Sequence, residues 1–195
     1  MAESRPILIN RAPVLTLWAA VVAQRLGFDR EEGLTLGKAV AGLNAYSKGR
    51  SLGLFEPKAA SLKTVRERAR KKKDAGAFDV ALLQRAVSVV PTPDGLRALV
   101  KDKPVDPAGV ERYLKSKFGE EDLAAVEKAM RMLAKSRTPA RLAVEAYTLY
   151  ERFRPEIPAG VAGWGAKGVL DLEKIEGLAR LPSQNSKSTR QSSAR

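Results

Sequence analysis

The residues best equipped for chemistry in this chain are cations. Between positions 66 and 73 it reads RERARKKK. On a helix, Arg66, Arg70 and Lys73 fall on one side at spacings of four and three, and Lys63 extends that side by another turn. With Lys71 and Lys72 they make a cationic ridge whose length suits a row of phosphates. A second candidate is the stretch NAYSKGRSLG, residues 44–53, where Lys48 and Arg50 flank Gly49. Two readings compete there. Backbone N–H groups around Gly49 could form an anion-binding nest. Alternatively, Gly49 is the left-handed cap of a helix, and the two cations complement the negative end of its dipole. The cap reading is preferred, because phosphate cradles need a following helix N-terminus and this segment follows a helix. The two are compatible, since a capped end still offers cations to a polyanion. Lys187 and Arg190, in a serine-rich C-terminal stretch, are the remaining candidates, with Arg97 and Lys101 as weaker ones.

Other chemistries have little to work with. The chain has no cysteine and no histidine. That removes disulfides, thiolate metal sites, His-dependent nucleophilic triads and most zinc sites. No metal ligand set and no cofactor are implied. The pattern G-x-x-x-x-G-K-[ST] is absent, and GWGAKG, residues 163–168, matches G-x-G-x-x-G only formally. A dinucleotide fingerprint needs a preceding strand and a following βαβ unit, and too little chain follows. That segment reads as a glycine-rich turn packing Trp164. Glu120, Glu121 and Asp122 sit where carboxylates simply favour a helix N-terminus. No carboxylate pair stands out as a general acid and base, so the chain reads as non-enzymatic.

The elements that must carry these side chains are mostly helical. PVLTLWAAVVAQRL, residues 13–26, is apolar on every face and reads as a buried helix with Pro13 in its first turn. After Gly27, Asp29 and Glu32 form a capping-box signature opening a second helix over about 30–46. Gly33, Gly37, Ala41 and Ala45 would form a small-residue stripe along it, so the two helices read as a tightly packed hairpin. A DNA-reading helix-turn-helix is disfavoured there, because Glu31 and Glu32 would meet phosphates at the second helix's first turn. Residues 61–74 form a surface helix with a thin apolar stripe at Leu62, Val65 and Ala69. Asp79–Ala86 reads as a short helix. VSVV and LRALV, joined by PTPDG, read as a single β-hairpin over about 87–100. Asp106-Pro107 opens a helix that Gly119 closes, Glu120–Lys135 and a helix starting at Pro139 follow, and a last one covers about 171–178.

The expected fold is therefore mostly α: a bundle-like body with one small hairpin. Its expected divisions are an N-terminal helical hairpin over 1–60, a basic helix or linker over 61–75, a helical body over 76–181 and a tail over 182–195. With five serines and almost no apolar side chain, that tail cannot offset the entropy of ordering and is expected to be a disordered basic extension.

Charge distribution decides the partner class. The net charge is +13, yet residues 76–181 hold 17 basic against 15 acidic residues. Residues 61–75 alone hold seven Lys/Arg against two Asp/Glu. Patchy charge of this kind favours a polyanionic partner. The sequence thus implies a nucleic-acid-binding protein, DNA ahead of RNA and largely without base readout, acting through the 63–73 ridge and the tail. The alternative is a non-enzymatic adaptor module that docks to an acidic protein. With no signal peptide and no apolar run long enough for a bilayer, the expected location is cytoplasmic, nucleoid-associated if the source is bacterial.

Overall fold

A computed structural model describes residues 6–54, 61–161 and 165–181. In chain order the elements are β1 (Ile7–Ile9), α1 (Arg11–Arg25), α2 (Arg30–Ser51), α3 (Leu62–Asp74), β2 (Phe78–Leu82), β3 (Arg85–Thr92), β4 (Gly95–Val100) and β5 (Lys103–Pro104). They continue with α4 (Pro107–Phe118), α5 (Glu120–Lys135), α6 (Pro139–Phe153), β6 (Gly168–Leu170) and α7 (Leu172–Arg180).

α1 is the axis of the molecule. Every residue from Pro13 to Ala23 is buried, and a helix without a polar face needs neighbours on all sides. α2, α4, α5 and α6 supply them. Trp18 is fully buried; its Nε1–H donates to the Ala146 carbonyl at 2.8 Å, and its ring meets Phe153 edge-on at 5.3 Å. α2 packs against α1 through the glycine stripe. A Cβ on Gly37 would lie 2.2 Å from the Thr16 carbonyl oxygen, and one on Gly33 2.9 Å from that of Ala20. The capping box forms as expected, with Asp29 accepting from the Glu32 N–H and Glu32 accepting from the Asp29 N–H.

Mostly α describes the whole, but the β content exceeds one hairpin. β2–β5 form a four-stranded antiparallel meander, and β1 pairs with β6 in a separate two-stranded sheet. Asp79–Ala86 is not helical: β2 pairs with β3 from Phe78↔Val89 to Leu82↔Arg85. The two-residue turn between them, Leu83-Gln84, has positive φ at both positions, as does Lys101-Asp102 between β4 and β5. Such turns normally announce themselves with Asn-Gly or Asp-Gly, and these two carry no glycine. The 87–100 hairpin is present as β3–β4, but its loop is shorter than PTPDG because Thr92 pairs with Gly95.

α2 outruns its expected end. It continues to Ser51, so Gly49 is a buried interior residue, not the cap. The left-handed residue is Gly53, at φ +69°. Its N–H bonds the Arg50 carbonyl, and the Leu54 N–H bonds that of Gly49, which is a Schellman closure. At its other end α2 grips the meander. The Leu96 N–H donates to Glu32 Oε1 at 2.9 Å and the Ala98 N–H to Thr35 Oγ1 at 3.1 Å. α2 thereby supplies acceptors to β4 N–H groups that the short β5 leaves unpaired.

Candidate anion-binding surfaces

α3 carries the ridge. Ser61 caps it, its Oγ accepting from the Thr64 N–H, and Gly76 at φ +69° follows its end. No residue of α3 is buried. Two basic side chains tie it to the sheet: Lys72 Nζ donates to Ser88 Oγ at 3.2 Å, and Arg68 lies 3.8 Å from Asp102. Those positions share one face of the helix, so Lys63, Arg66, Arg70 and Lys73 occupy another, directed away from the sheet. That outward row is about 15 Å long at the helical rise. Arg70 pairs with Asp74 at 3.6 Å. Lys63, Arg66, Lys71 and Lys73 have no carboxylate partner among the described residues. Lys72 stands with the anchoring face, not with the row.

The weaker hairpin candidates separate. Arg97 is 7% exposed and its Nη2 lies 2.5 Å from Glu31 Oε2. It is an internal tie between β4 and α2 and drops out as a surface contact. Lys101 is exposed in the β4–β5 turn beside Asp102. Lys187, Arg190 and Trp164 lie outside the described residues.

Lys48 and Arg50 also part company. Both are exposed, but Lys48, unlike Arg50, lines a cleft of about 550 Å³. Four places in the fold build it: the first turn of α1, the C-terminal half of α2, the start of β3 and the end of α6. Residues 165–166, leading into β6, close one side, fixed by Asn10 Nδ2 donating to the Gly165 carbonyl at 2.6 Å. Gly168 allows β6 to approach this closely, since a Cβ there would lie 2.8 Å from the Glu156 carbonyl oxygen.

Among the described residues the cleft is lined by Arg11, Lys48, Arg85 and Arg154 and by no acidic side chain. Arg154 pairs with Glu151 at 3.6 Å. The other three lack a carboxylate partner among the described residues and are oriented by neutral groups. Arg85 donates to Asn44 Oδ1 and Ser47 Oγ, each at 3.3 Å. Arg11 Nε donates to the Pro155 carbonyl at 3.0 Å. Tyr150 O–H donates to the Arg11 carbonyl at 3.3 Å, and burial raises its ionisation well above the ordinary tyrosine range, so it remains a neutral donor. Asn10 stands at the N-cap of α1 without bonding a first-turn N–H, and that turn holds no acidic residue. The positive end of the α1 dipole therefore adds to the lining cations.

The ridge and the cleft are separate. Arg85 and Ser88 are three positions apart on β3, so they point to opposite faces of the sheet. Arg85 turns toward α2, and Ser88 holds Lys72 of α3 on the other side. Sequence reasoning reached Lys48 but not its companions. The signal was present in α2: Asn44, Ser47, Lys48 and Ser51 recur at i, i+3, i+4 and i+7, one face of a helix. Ending the helix at Tyr46 hid it.

No protein-family model matches this chain, and no curated protein or solved structure matches it. Its chemistry rests on its own geometry. Among the described residues no group of three or more acidic side chains is placed to share a metal ion. Nor is any helix there long and apolar enough to cross a membrane.

Proposed function

We propose that this protein binds nucleic acid through its phosphate backbone, with little base readout and with DNA preferred over RNA. The observation that carries this reading is α3: a helix with no buried residue whose outward row holds Lys63, Arg66 and Lys73 without carboxylate partners among the described residues. A cationic row held off the body in this way contacts phosphates at little desolvation cost. Exposed side chains of this type supply affinity and no sequence code.

A second reading, an adaptor that docks to an acidic protein, draws on two exposed apolar residues of the same helix, Leu62 at 77% and Val65 at 50%. Such residues suit a protein surface better than a phosphate row. The two readings are distinguished by equilibrium binding of duplex DNA over a salt series, using the parent and the variant Lys63→Glu/Arg66→Glu/Lys73→Glu. The nucleic-acid reading expects a linear fall of log affinity with log salt in the parent. It expects at least about tenfold weaker binding in the variant, with a slope reduced by roughly 0.9 for each phosphate that the variant no longer neutralises. A variant that folds and keeps the parent's affinity and slope refutes the ridge as the site. Absence of DNA binding by the parent at low salt favours the adaptor.

A further inference from the structure

We infer that the cleft between α1, α2, β3 and α6 is a binding site for a phosphate monoester carried on a ring-bearing body of about nucleotide size. The charge inventory is the first argument. Among the described residues, Arg11, Lys48 and Arg85 converge on one concavity with no acidic side chain in its lining, and none of the three has an ion-pair partner. Gathering like charges at a partly enclosed site costs free energy unless an anion joins them. Elsewhere in this protein basic side chains commonly have carboxylates at hand, as Arg30, Arg131 and Arg141 do. Here the partners are Asn44, Ser47 and the Pro155 carbonyl, which orient the guanidinium groups without neutralising them.

Orientation by neutral groups leaves further N–H donors of each guanidinium unused, and two arginine forks plus an ammonium match an oxyanion carrying about two charges. The uncapped first turn of α1, a helix of 15 residues, adds its dipole to the same cleft. Size gives the second argument. About 550 Å³ falls within the usual range for small-molecule sites and far exceeds what a bare phosphate needs. Leu15, Ala41, Tyr147 and Ile157 are among the residues that line the remainder, and a lining of aromatic and aliphatic side chains suits a ring. Among the described residues that line the cleft none pairs a nucleophile with a carboxylate base, so binding is proposed and no reaction.

This inference is independent of the nucleic-acid reading, because ridge and cleft lie on opposite faces of the sheet. Binding of adenosine monophosphate and of glucose 6-phosphate is measured by calorimetry on the full chain, with adenosine and glucose as the uncharged controls. At least one monoester is expected to bind and its uncharged counterpart not to bind. Arg85→Gln and Lys48→Gln are each expected to weaken binding by about tenfold or more, since each removes a charge-assisted contact. Lys48 makes no ion pair among the described residues, so its variant reports on the site without a folding defect. The ridge variant Lys63→Glu/Arg66→Glu/Lys73→Glu is expected to bind the monoester as the parent does. Measured on that ridge variant, a 5′-phosphorylated oligonucleotide that binds as tightly as the mononucleotide, while its 5′-hydroxyl counterpart does not bind, identifies a strand end as the source of the monoester; a phosphorylated oligonucleotide that does not bind identifies a free metabolite. Failure of both monoesters to bind, or binding unchanged in Arg85→Gln and Lys48→Gln, overturns the proposal.

Discussion

One substitution made at three positions of α2 tests the packing that holds both surfaces in place. Gly33, Gly37 and Gly42 all lie within this helix. Replacing glycine by alanine in a helix interior ordinarily stabilises by about 1 kcal/mol, because the unfolded chain loses freedom. At Gly42 a Cβ meets nothing within 4 Å, so Gly42→Ala should show that gain undiminished. At Gly37 the Cβ would stand 2.2 Å from the Thr16 carbonyl oxygen and 3.1 Å from the Ala20 nitrogen. Ordinary contact requires about 1 Å more, and both obstructions are backbone. α1 cannot yield, since it is buried on every side from Pro13 to Ala23. Overpacking of this kind costs about 3 kcal/mol, the upper end of its usual range, so Gly37→Ala should be about 2 kcal/mol less stable after the helix gain is subtracted. Gly33 is intermediate, at 2.9 Å from the Ala20 oxygen and 3.3 Å from the movable Gln24 Cγ. Its variant should fall close to the parent. Urea unfolding followed by circular dichroism gives the free energies. In a thermal scan the spread should be a rise of roughly 2–4 °C for Gly42→Ala and a fall of roughly 4–8 °C for Gly37→Ala. A Gly37→Ala protein as stable as Gly42→Ala would refute the close approach of α1 and α2, and with it the position of Lys48 and Ser47 beside Arg85.

Thr35→Val keeps the shape of a fully buried side chain but removes the acceptor for the Ala98 N–H. Urea unfolding should show a loss of about 1–3 kcal/mol from the unsatisfied amide. Tyr150 offers a test in pH. Its folded ionisation is raised chiefly by burial, with Arg11 and Arg154 opposing. A raised folded value means that its contribution is fully present below the unfolded tyrosine range, near about pH 10, and declines as pH rises beyond it. The stability difference between the parent and Tyr150→Phe should therefore be constant from neutral pH to about pH 9 and shrink above about pH 10. A constant difference throughout would mean that Tyr150 is solvated in the folded state.

Much of the helical plan was legible because its signals are local. The Asp29–Glu32 capping box, the Asp106-Pro107 start and the Gly119 stop of α4, and the Pro139 start of α6 all stand where expected. Each depends on groups within one turn, a side chain bonding backbone N–H groups, the fixed φ of proline or the positive φ open to glycine, so neighbouring residues suffice to predict it. The glycine stripe was legible for a related reason, since spacing alone puts small residues on one face. β2 was not, because its turn at Leu83-Gln84 adopts positive φ with residues that do not favour it. Pairing along five positions with β3 overrides that local preference, and pairing partners are not visible in a local window.

The same division separates the two candidate surfaces. The ridge on α3 is written in a single run of 11 residues, 63–73, because a helix places i, i+3 and i+7 on one side wherever it lies. Only the tertiary structure showed that Lys72 turns back to Ser88 while Arg66 and Lys73 face away. The cleft has no sequence signature of its own. Arg11, Lys48, Arg85 and Arg154 are scattered over more than 140 positions, and they converge because α1 is buried on all sides and draws α2 and α6 against it. Composition determined that this chain would carry excess positive charge, and residue order that part of it would be concentrated in patches. Where three of those charges meet with no carboxylate partner among the described residues was decided by helix packing, which brings together residues that no local rule relates.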